Sequence, residues 1–322
     1  MFMPSGAAAA GGGSLAVNYR IRAARTLSGG GFVAPSPAGW TWSRIGTGLY
    51  TWTHDFNTST TGVAFIDTAR TANASCAAST QRSASPSWPV QMNRAIEGGF
   101  TNSEFWVYSI EPLAADVVQL AVINGTSATF IGPAPPGWTI TKTTTGTYRL
   151  LVPDILDKSP NGGTALFCTP LTNQDGRCLT QSYFGTGSTS YYSIQSNRLF
   201  TDGALFDCNF YVALLRSTPE LIQGVHTISS GGTTGTNPRG MINTRTGVGL
   251  YTLNPQIGEP PDPRTSQYAP WVVGLAGQNA GGLAAMSTSV NTALIDMHRA
   301  VEGAPQDRPY SYQVIYNPET GT

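Results

Sequence analysis

Charge is scarce in this chain. Charged side chains make up only 11% of its 322 residues, and 18 basic residues balance 18 acidic ones, whereas an ordinary soluble domain carries about 25% charged residues. Because nucleic-acid-binding domains present a basic excess, the composition argues against nucleic acid as a partner. A neutral, sparsely charged surface favours association with other proteins, as in the subunit of an assembly.

The sequence also lacks long apolar runs and the motifs of common cofactor sites. No stretch approaches the 18 consecutive apolar residues of a membrane span, and the N-terminus, MFMPSGAAAAGGGSLAV, has no basic region and apolar core typical of a signal peptide. We predict that residues 1–14 form a flexible arm. There is no GxSxG, HExxH, P-loop or dinucleotide-binding motif. We therefore expect no catalytic, cofactor-binding or metal-binding residues, and no enzyme.

Paired carboxylates leave one enzymatic alternative, glycoside hydrolysis. The candidates are Asp154 and Asp157 in the loop VPDILDKSPNGG, or Glu97 and Glu302 in a repeated motif. Aspartates in such a turn-rich loop more often bind the local backbone. Calcium binding by the Asp-rich loops stays open, although no EF-hand pattern is present.

Histidine and cysteine are rare and form no recognisable site. The histidines are predicted to be ordinary surface or half-buried residues: His54, His226 and His298. No CxxC pair is present, so a zinc site is not expected. Buried thiols are the simpler reading of the four cysteines, a disulfide within the middle of the chain is the alternative, and the sequence sets no pairing. They are Cys76, Cys168, Cys178 and Cys208.

What the chain does contain is an internal repeat, which decides the architecture. Residues 32–50, FVAPSPAGWTWSRIGTGLY, align without a gap with residues 130–148, FIGPAPPGWTITKTTTGTY. A weaker third copy, MINTRTGVGLY, covers residues 241–251. Residues 92–98, MNRAIEG, return as MHRAVEG at residues 297–303. These matches predict three similar domains of roughly 100 residues each, a common domain size.

The local patterns predict strands. Between residues 15 and 27 apolar residues alternate with Asn18, Arg20 and Arg22, which indicates a half-buried strand whose arginines, including Arg25, face solvent. Trp40 and Tyr50 are predicted to pack together across a strand–turn–strand unit. Short apolar runs at residues 62–68, 164–169 and 269–275 are predicted to be buried strands.

Each repeat closes with an aromatic strand that follows an acidic residue. These residues are Glu104, Asp207 and Asp307, and we interpret them as turn chemistry.

We therefore predict an all-β protein of three tandem antiparallel β-sandwich domains, jelly-roll or Ig-like. The predicted ranges are an arm at 1–14, repeat 1 at 15–113, repeat 2 at 114–219 and repeat 3 at 220–322.

The repeated unit resembles the small β-sandwich modules of tailed-bacteriophage virion proteins, found in capsid decoration proteins, head fibres and tail-fibre or spike domains. The resemblance lies in GTGLYTWT at residues 46–53, GTYRLLV at 146–152, GLYTL at 249–253 and the closing acidic and aromatic strands. It implies a non-enzymatic structural role in the virion, often as trimers. Here three modules stand in tandem, so one chain could act as a pseudo-trimer or project as a short fibre.

Two functions follow as expectations. The first is a structural protein that decorates or stabilises the capsid or forms part of a collar or tail fibre, with the arm binding other virion proteins. The alternative is a receptor- or glycan-binding adhesion protein that uses loops such as residues 181–195, QSYFGTGSTSYYSIQ, whose composition suits adaptable recognition.

Overall fold

The structure is a computed structural model that describes the greater part of the strands and their connecting turns. The described residues are 19–27, 29–32, 38–53, 63–68, 76–80, 87–94, 102, 105–113, 116–155, 162–171, 177–181, 189–197, 204–218, 222–227, 233–234, 242–254, 271–275, 282–289, 292–299, 306–307 and 310–315. Within them the fold is all-β, and no helix occurs.

Seven strands in the first third of the chain form two sheets. They are β1 (Tyr19–Arg25), β2 (Thr41–Gly46), β3 (Leu49–Thr53), β4 (Val63–Thr68), β5 (Cys76–Thr80), β6 (Ser87–Arg94) and β7 (Phe105–Pro112). One sheet has the order β1-β7-β4 and the other the order β2-β3-β6-β5.

The middle third repeats this order with one additional short strand. Its strands are β8 (Val118–Asn124), β9 (Thr129–Phe130), β10 (Thr139–Thr144), β11 (Thr147–Leu151), β12 (Thr164–Pro170), β13 (Arg177–Gln181), β14 (Tyr192–Asn197) and β15 (Phe210–Arg216). The sheets have the orders β12-β15-β8-β9 and β10-β11-β14-β13.

The last third follows the same plan. Its strands are β16 (Ile222–Thr227), β17 (Thr233–Thr234), β18 (Ile242–Gly247), β19 (Leu250–Asn254), β20 (Trp271–Leu275), β21 (Gly282–Ser289), β22 (Thr292–Arg299) and β23 (Tyr310–Ile315). The sheets have the orders β17-β16-β23-β20 and β18-β19-β22-β21.

The pairing is antiparallel throughout the described strands, and none of their six sheets mixes strands from two thirds of the chain. In each third the first strand pairs with the last one, as in β1 with β7 and β8 with β15. The short hairpin likewise pairs with the penultimate strand, as in β3 with β6. The three predicted strands are present as β4, β12 and β20. Burial is confirmed for β12, whereas the side chains of β4 and β20 lie outside the described residues.

One hydrophobic core joins both sheets of the middle third. It contains side chains from β8, β12 and β15 in one sheet and from β11 and β14 in the other, so the two sheets pack face to face. Its buried members are Ala121, Ile123, Trp138, Tyr148, Leu150, Val152, Ile155, Leu166, Tyr192, Ile194, Cys208, Phe210, Val212 and Leu214.

The aromatic cluster of the first third corrects one predicted pairing. Trp40 and its counterpart Trp138 are each only 5% exposed. Tyr50 is buried in the same cluster as Trp40, as predicted, but its ring stacks on Trp42 at 4.9 Å. Trp40 instead meets Trp52 edge to face at 4.7 Å. The reason is the register, which places Trp42 opposite Trp52 and beside Tyr50.

The prediction that the arginines of β1 face solvent is wrong for Arg22, whose side chain is 16% exposed, whereas the side chain of Arg20 is 43% exposed. The register places both on the side of the sheet that carries the core residues Ala24 and Val107. Their guanidinium groups bind the carboxylate of Glu111, which is only 11% exposed in its side chain. Such an ion pair compensates the cost of partly burying three charges.

Arg22 also lies over the ring of Trp40, with 5.4 Å from its Cζ atom to the ring centroid. This cation–π contact caps the aromatic cluster at the end where β1 begins. The side chain of Arg25 lies outside the described residues.

Candidate functional site

The most distinctive polar feature is a cluster that joins the β10–β11 hairpin to the residue that precedes β15 by three positions. The Oδ1 atom of Asp207 accepts hydrogen bonds from the backbone N–H of Gly146 at 2.8 Å and from the Tyr148 hydroxyl at 3.0 Å. Its Oδ2 atom accepts one from the Lys142 ammonium at 2.5 Å. We call this arrangement the polar clamp, because one side-chain oxygen holds a hairpin glycine and a buried tyrosine together.

The last third of the chain contains the same clamp. The Oδ1 atom of Asp307 accepts hydrogen bonds from the Gly249 N–H and the Tyr251 hydroxyl, both at 2.9 Å. Arg245, at the position of Lys142, binds both oxygens of this carboxylate in a bidentate pair with contacts of 2.7 to 3.1 Å. Bidentate charge-assisted bonds of this kind are among the stronger ones in proteins.

In the first third the acceptor is an amide. The Oδ1 atom of Asn102 accepts hydrogen bonds from the Gly48 N–H at 2.9 Å and from the Tyr50 hydroxyl at 3.3 Å. Asn102 precedes β7 by three residues, as Asp207 precedes β15 and Asp307 precedes β23. The counterpart of the two aspartates in the first third is therefore Asn102. Glu104, interpreted with them as turn chemistry, lies outside the described residues.

The hairpin geometry explains why the clamp can form three times. Each hairpin carries a register irregularity just before its turn, at Lys142/Thr144 in the middle hairpin, and then a glycine at positive φ. The φ angle is 63° at Gly48 and Gly146 and 68° at Gly249. The left-handed glycine directs its N–H away from the ladder and towards the acceptor. The tyrosine two residues later lies in the adjoining core.

The electrostatics of the clamp favour a fixed carboxylate. Burial, followed by the neighbouring Asp207 carboxylate, raises the pKa of the Tyr148 hydroxyl, so this group remains a hydrogen-bond donor. Burial by itself opposes ionisation of Asp207, but the hydrogen bonds from Gly146, Lys142 and Tyr148 outweigh it and lower its pKa. The Arg245 hydrogen bonds, aided by those from Gly249 and Tyr251, lower the pKa of Asp307 to about 2. A carboxylate held ionised in this way is a weak general base at neutral pH.

We expect the melting temperature of Asp307→Asn to fall less steeply than that of the wild type as the pH is lowered from 5 to 2. Because the folded-state pKa of Asp307 is about 2, below its unfolded value of about 3.9, the carboxylate stabilises the fold above about pH 4. That contribution disappears as the pH falls towards 2. Melting temperatures between pH 5 and pH 2 measure the effect, with Asp116→Asn, at an exposed aspartate, as the matched control. Parallel curves for wild type and Asp307→Asn would contradict the prediction.

A second prediction concerns Asn102→Asp. Arg44 occupies the position of Lys142 and Arg245 on its hairpin, so a carboxylate at residue 102 completes the ion pair found in the other two clamps. We expect a gain of up to about 1 kcal/mol, typical of a partly exposed pair. Urea unfolding monitored in the first third of the chain measures it. The gain should vanish when Arg44→Ala is combined with Asn102→Asp, and a gain that persists would contradict the ion-pair explanation.

Asp154 is the one candidate carboxylate that lies in the described residues. Asp154 binds the guanidinium of Arg216, with Nη2 to Oδ1 at 3.1 Å and a closer contact from Nη1 to Oδ2. Its partner is therefore an arginine on β15. Asp157, Glu97 and Glu302 lie outside the described residues, as does His54. His226 lies on β16 and His298 on β22, which belong to different sheets.

The cysteines of the middle third do not form a disulfide with each other. Cys168 lies on β12 and Cys208 just before β15, and both carry thiols. Cys208 belongs to the buried core. Cys76 and Cys178 lie on the corresponding strands β5 and β13, but the register places them two residues apart, with Cys178 at the position of Ala78. Their side chains are outside the described residues.

No cluster of metal-binding side chains occurs in the part of the chain that the structure describes. Over the same residues, no helix has the length and apolarity needed to cross a membrane.

Fold and clamps together define an all-β protein of antiparallel sheets braced at repeated points. No family model, no curated protein and no solved structure matches the chain.

Sequence reasoning missed the clamp because it aligned the closing strands on their nearest acidic residue. Alignment on the first aromatic residue of each strand, Phe105, Phe210 and Tyr310, brings Asn102, Asp207 and Asp307 into register. The constant spacing from the cation to the glycine and tyrosine was the second available signal. It is four and six residues in all three hairpins.

Proposed function

We propose that the chain is a non-enzymatic structural protein of a tailed-bacteriophage virion, built from three tandem antiparallel β-sandwich units. Unit 1 comprises residues 15–113, unit 2 residues 114–219 and unit 3 residues 220–322. The observation that carries the proposal is the polar clamp, which recurs with the same donors and the same geometry in each unit. The carboxylates of the clamp, Asp207 and Asp307, hold parts of the fold together through several hydrogen bonds each. We therefore assign them a role in mechanical stability and not in catalysis.

The order of the strands supports a jelly-roll-like unit over an Ig-like one. In the Ig fold the first strand pairs with the second, and the last strand lies in the opposite sheet. Here the first strand pairs with the last in every unit, and the remaining pairs nest inside that one. Jelly rolls of this kind are a common architecture of viral shells.

The virion role is tested by locating the protein in an assembled particle. We expect an antibody against the chain to label the capsid, the collar or the tail in electron micrographs of phage. Purified particles lacking the protein would contradict the proposal. The proposed anchor is the arm at residues 1–14, which lies outside the described residues. Deletion of 1–14 should abolish incorporation while leaving the protein folded, and unchanged incorporation would rule out the arm as anchor.

One observation supports receptor or glycan binding as the second candidate. In the segment 181–195, predicted to be a loop, residue 181 ends β13 and residues 192–195 belong to β14. Just before β14 the guanidinium of Arg149 lies over the ring of Tyr191, 4.5 Å from Cζ to the centroid. An arginine stacked on an exposed or half-buried aromatic ring is typical of binding hot spots. A glycan array probed with wild type and with Tyr191→Ala tests this candidate. Binding that is lost in the variant supports it, and the absence of binding by wild type rejects it for glycans.

A further inference from the structure

The sheet β9-β8-β15-β12 of unit 2 is apolar on both faces. One face carries core residues such as Leu166 and Leu214, which pair across the strands. The opposite face is also buried, although its residues do not belong to that core cluster. Its buried cross-strand pairs are Ala165 with Leu215, Phe167 with Ala213 and Thr169 with Tyr211. If this face were exposed to water, it would carry mainly polar residues.

In every unit, the sheet face that points away from the core is buried at one equivalent position of the closing strand. Ile110 on β7, Leu215 on β15 and Ile315 on β23 each lie five residues after the start of the closing strand. Their exposed fractions are 1%, 1% and 0%. Each also pairs with an apolar residue of the first strand in its unit. These pairs are Ile21 with Ile110, Val118 with Leu215, and Ile222 with Ile315.

The contacts between units follow a cyclic order. When the short strands β9 and β17 are left out of the count, the fourth and fifth strands of each unit lie at the edges of its two sheets. They are β4 and β5, β12 and β13, and β20 and β21. The edge strand β5 of unit 1 lies against β12 of unit 2, and β13 of unit 2 lies against β20 of unit 3. The third contact returns to the start, because β21 of unit 3 lies against β4 of unit 1.

The start of unit 1 also lies beside the end of unit 2. Tyr19, at the start of β1, is fully buried and lies beside Ser217, which follows the last strand of unit 2. The N–H of Ser217 donates a hydrogen bond to the carbonyl of Gly163 at 2.8 Å. Unit 1 is therefore packed against unit 2 at the beginning of β1.

We infer that the three units of one chain close into a ring, with the second sheet faces around Ile110, Leu215 and Ile315 turned towards its axis. Each unit presents its fifth strand to the fourth strand of the next, which is a head-to-tail interface, and such an interface closes when the rotation between units allows it. In a ring, β4 and β21 cover each other. If the three units were arranged in a line, both edge strands would be exposed and could associate with other chains. The chain thus takes the place of a trimer and needs no second copy.

This inference rests on the three-unit architecture proposed above and not on the virion role. Absence of the protein from phage particles would therefore leave the ring unaffected. The ring fails by itself if the units exist but are arranged in a line.

Small-angle X-ray scattering and light scattering of the full chain separate the arrangements. We expect the mass of one chain, 34.0 kDa. For three units with a radius of gyration of about 13 Å each and centres about 30 Å apart, a ring gives about 22 Å and a line about 28 Å. A monomer near 22 Å supports the ring, whereas a value near 28 Å or an obligate trimer of chains overturns it.

A photo-cross-link tests the contact that closes the ring. A benzophenone side chain introduced near the middle of β21, at Ala284 in one variant and at Ala285 in another, should react with the peptide that contains β4, because β21 lies against β4. A mixture of light and heavy isotope-labelled chains should give links within one chain only. The same probe at Thr126, exposed in the turn after β8, is the matched control and should not reach β4. Links between light and heavy chains, or no link from either position of β21 to β4, would overturn the inference.

Discussion

Gly146→Ala is expected to destabilise unit 2 by more than about 3 kcal/mol. An alanine here would have to adopt a left-handed backbone conformation, and its Cβ atom would clash with neighbouring backbone atoms. Gly146 has a φ of 63°, which costs an L-residue about 1–2 kcal/mol. The added Cβ atom would also stand 2.6 Å from the carbonyl oxygen of Ser196 and 2.7 Å from the backbone nitrogen of Phe206. Backbone atoms cannot move aside as a flexible side chain can.

Gly132→Ala is the matched control for this substitution. Gly132 has a φ of 82°, but a Cβ atom there would meet nothing within 4 Å. The substitution Gly132→Ala should therefore cost only the free energy of holding an L-residue at positive φ, about 1 kcal/mol. Hydrogen–deuterium exchange of peptides from residues 139–151 reports the stability of the hairpin directly. Equal loss of protection in the two variants would contradict a steric role for the space around Gly146.

Asp207→Ala is expected to cost about 2–3 kcal/mol, the second largest effect. The substitution leaves the Gly146 N–H, the Tyr148 hydroxyl and the Lys142 ammonium without their common acceptor. A buried donor deprived of its partner costs about 1–3 kcal/mol. The Tyr148 hydroxyl retains one bond, to the carbonyl of Gly125 at 3.1 Å, which limits the loss.

Two conservative variants separate the contributions of the clamp. Asp207→Asn keeps a neutral oxygen acceptor, as Asn102 does in unit 1, and should cost less than about 1.5 kcal/mol. Tyr148→Phe removes one donor and leaves the carboxylate bound to Gly146 and Lys142. Urea unfolding with a probe in unit 2 ranks the three variants. If Asp207→Asn were as damaging as Asp207→Ala, the charge of Asp207 would matter more than its acceptor geometry.

Much of the local structure could be predicted from residues close together in the chain. The strand–turn–strand unit predicted around Trp40 and Tyr50 is the β2–β3 hairpin, and both residues are buried in one cluster. The apolar run at residues 164–169 is likewise the buried strand β12. These features depend on a period of two residues and on turn chemistry, both of which are local.

Non-local pairing was beyond the same reasoning. The acceptor of the clamp lies 59 residues from Tyr148 in the middle unit, and nothing in the local pattern relates the two. Trp40 and Tyr50 were expected as partners because they are conspicuous in the repeat. The actual partners, Trp52 and Trp42, follow from the register of β2 and β3.

The sequence by itself determined that the described part of the chain is all-β, that its hairpins recur and that Trp40, Tyr50 and Trp138 are buried. Only the tertiary structure decided which face of a strand meets which core. Alternation divides β1 into two faces, but both are occupied: Arg22 and Ala24 lie on the side of the aromatic cluster, while Ile21 pairs with the buried Ile110 on the other. The charged residue Arg22 makes one face of β1 look solvent-exposed in the sequence. Its partner Glu111 lies on the neighbouring strand β7, far away in the chain, so the sequence pattern does not reveal that this face is covered as well.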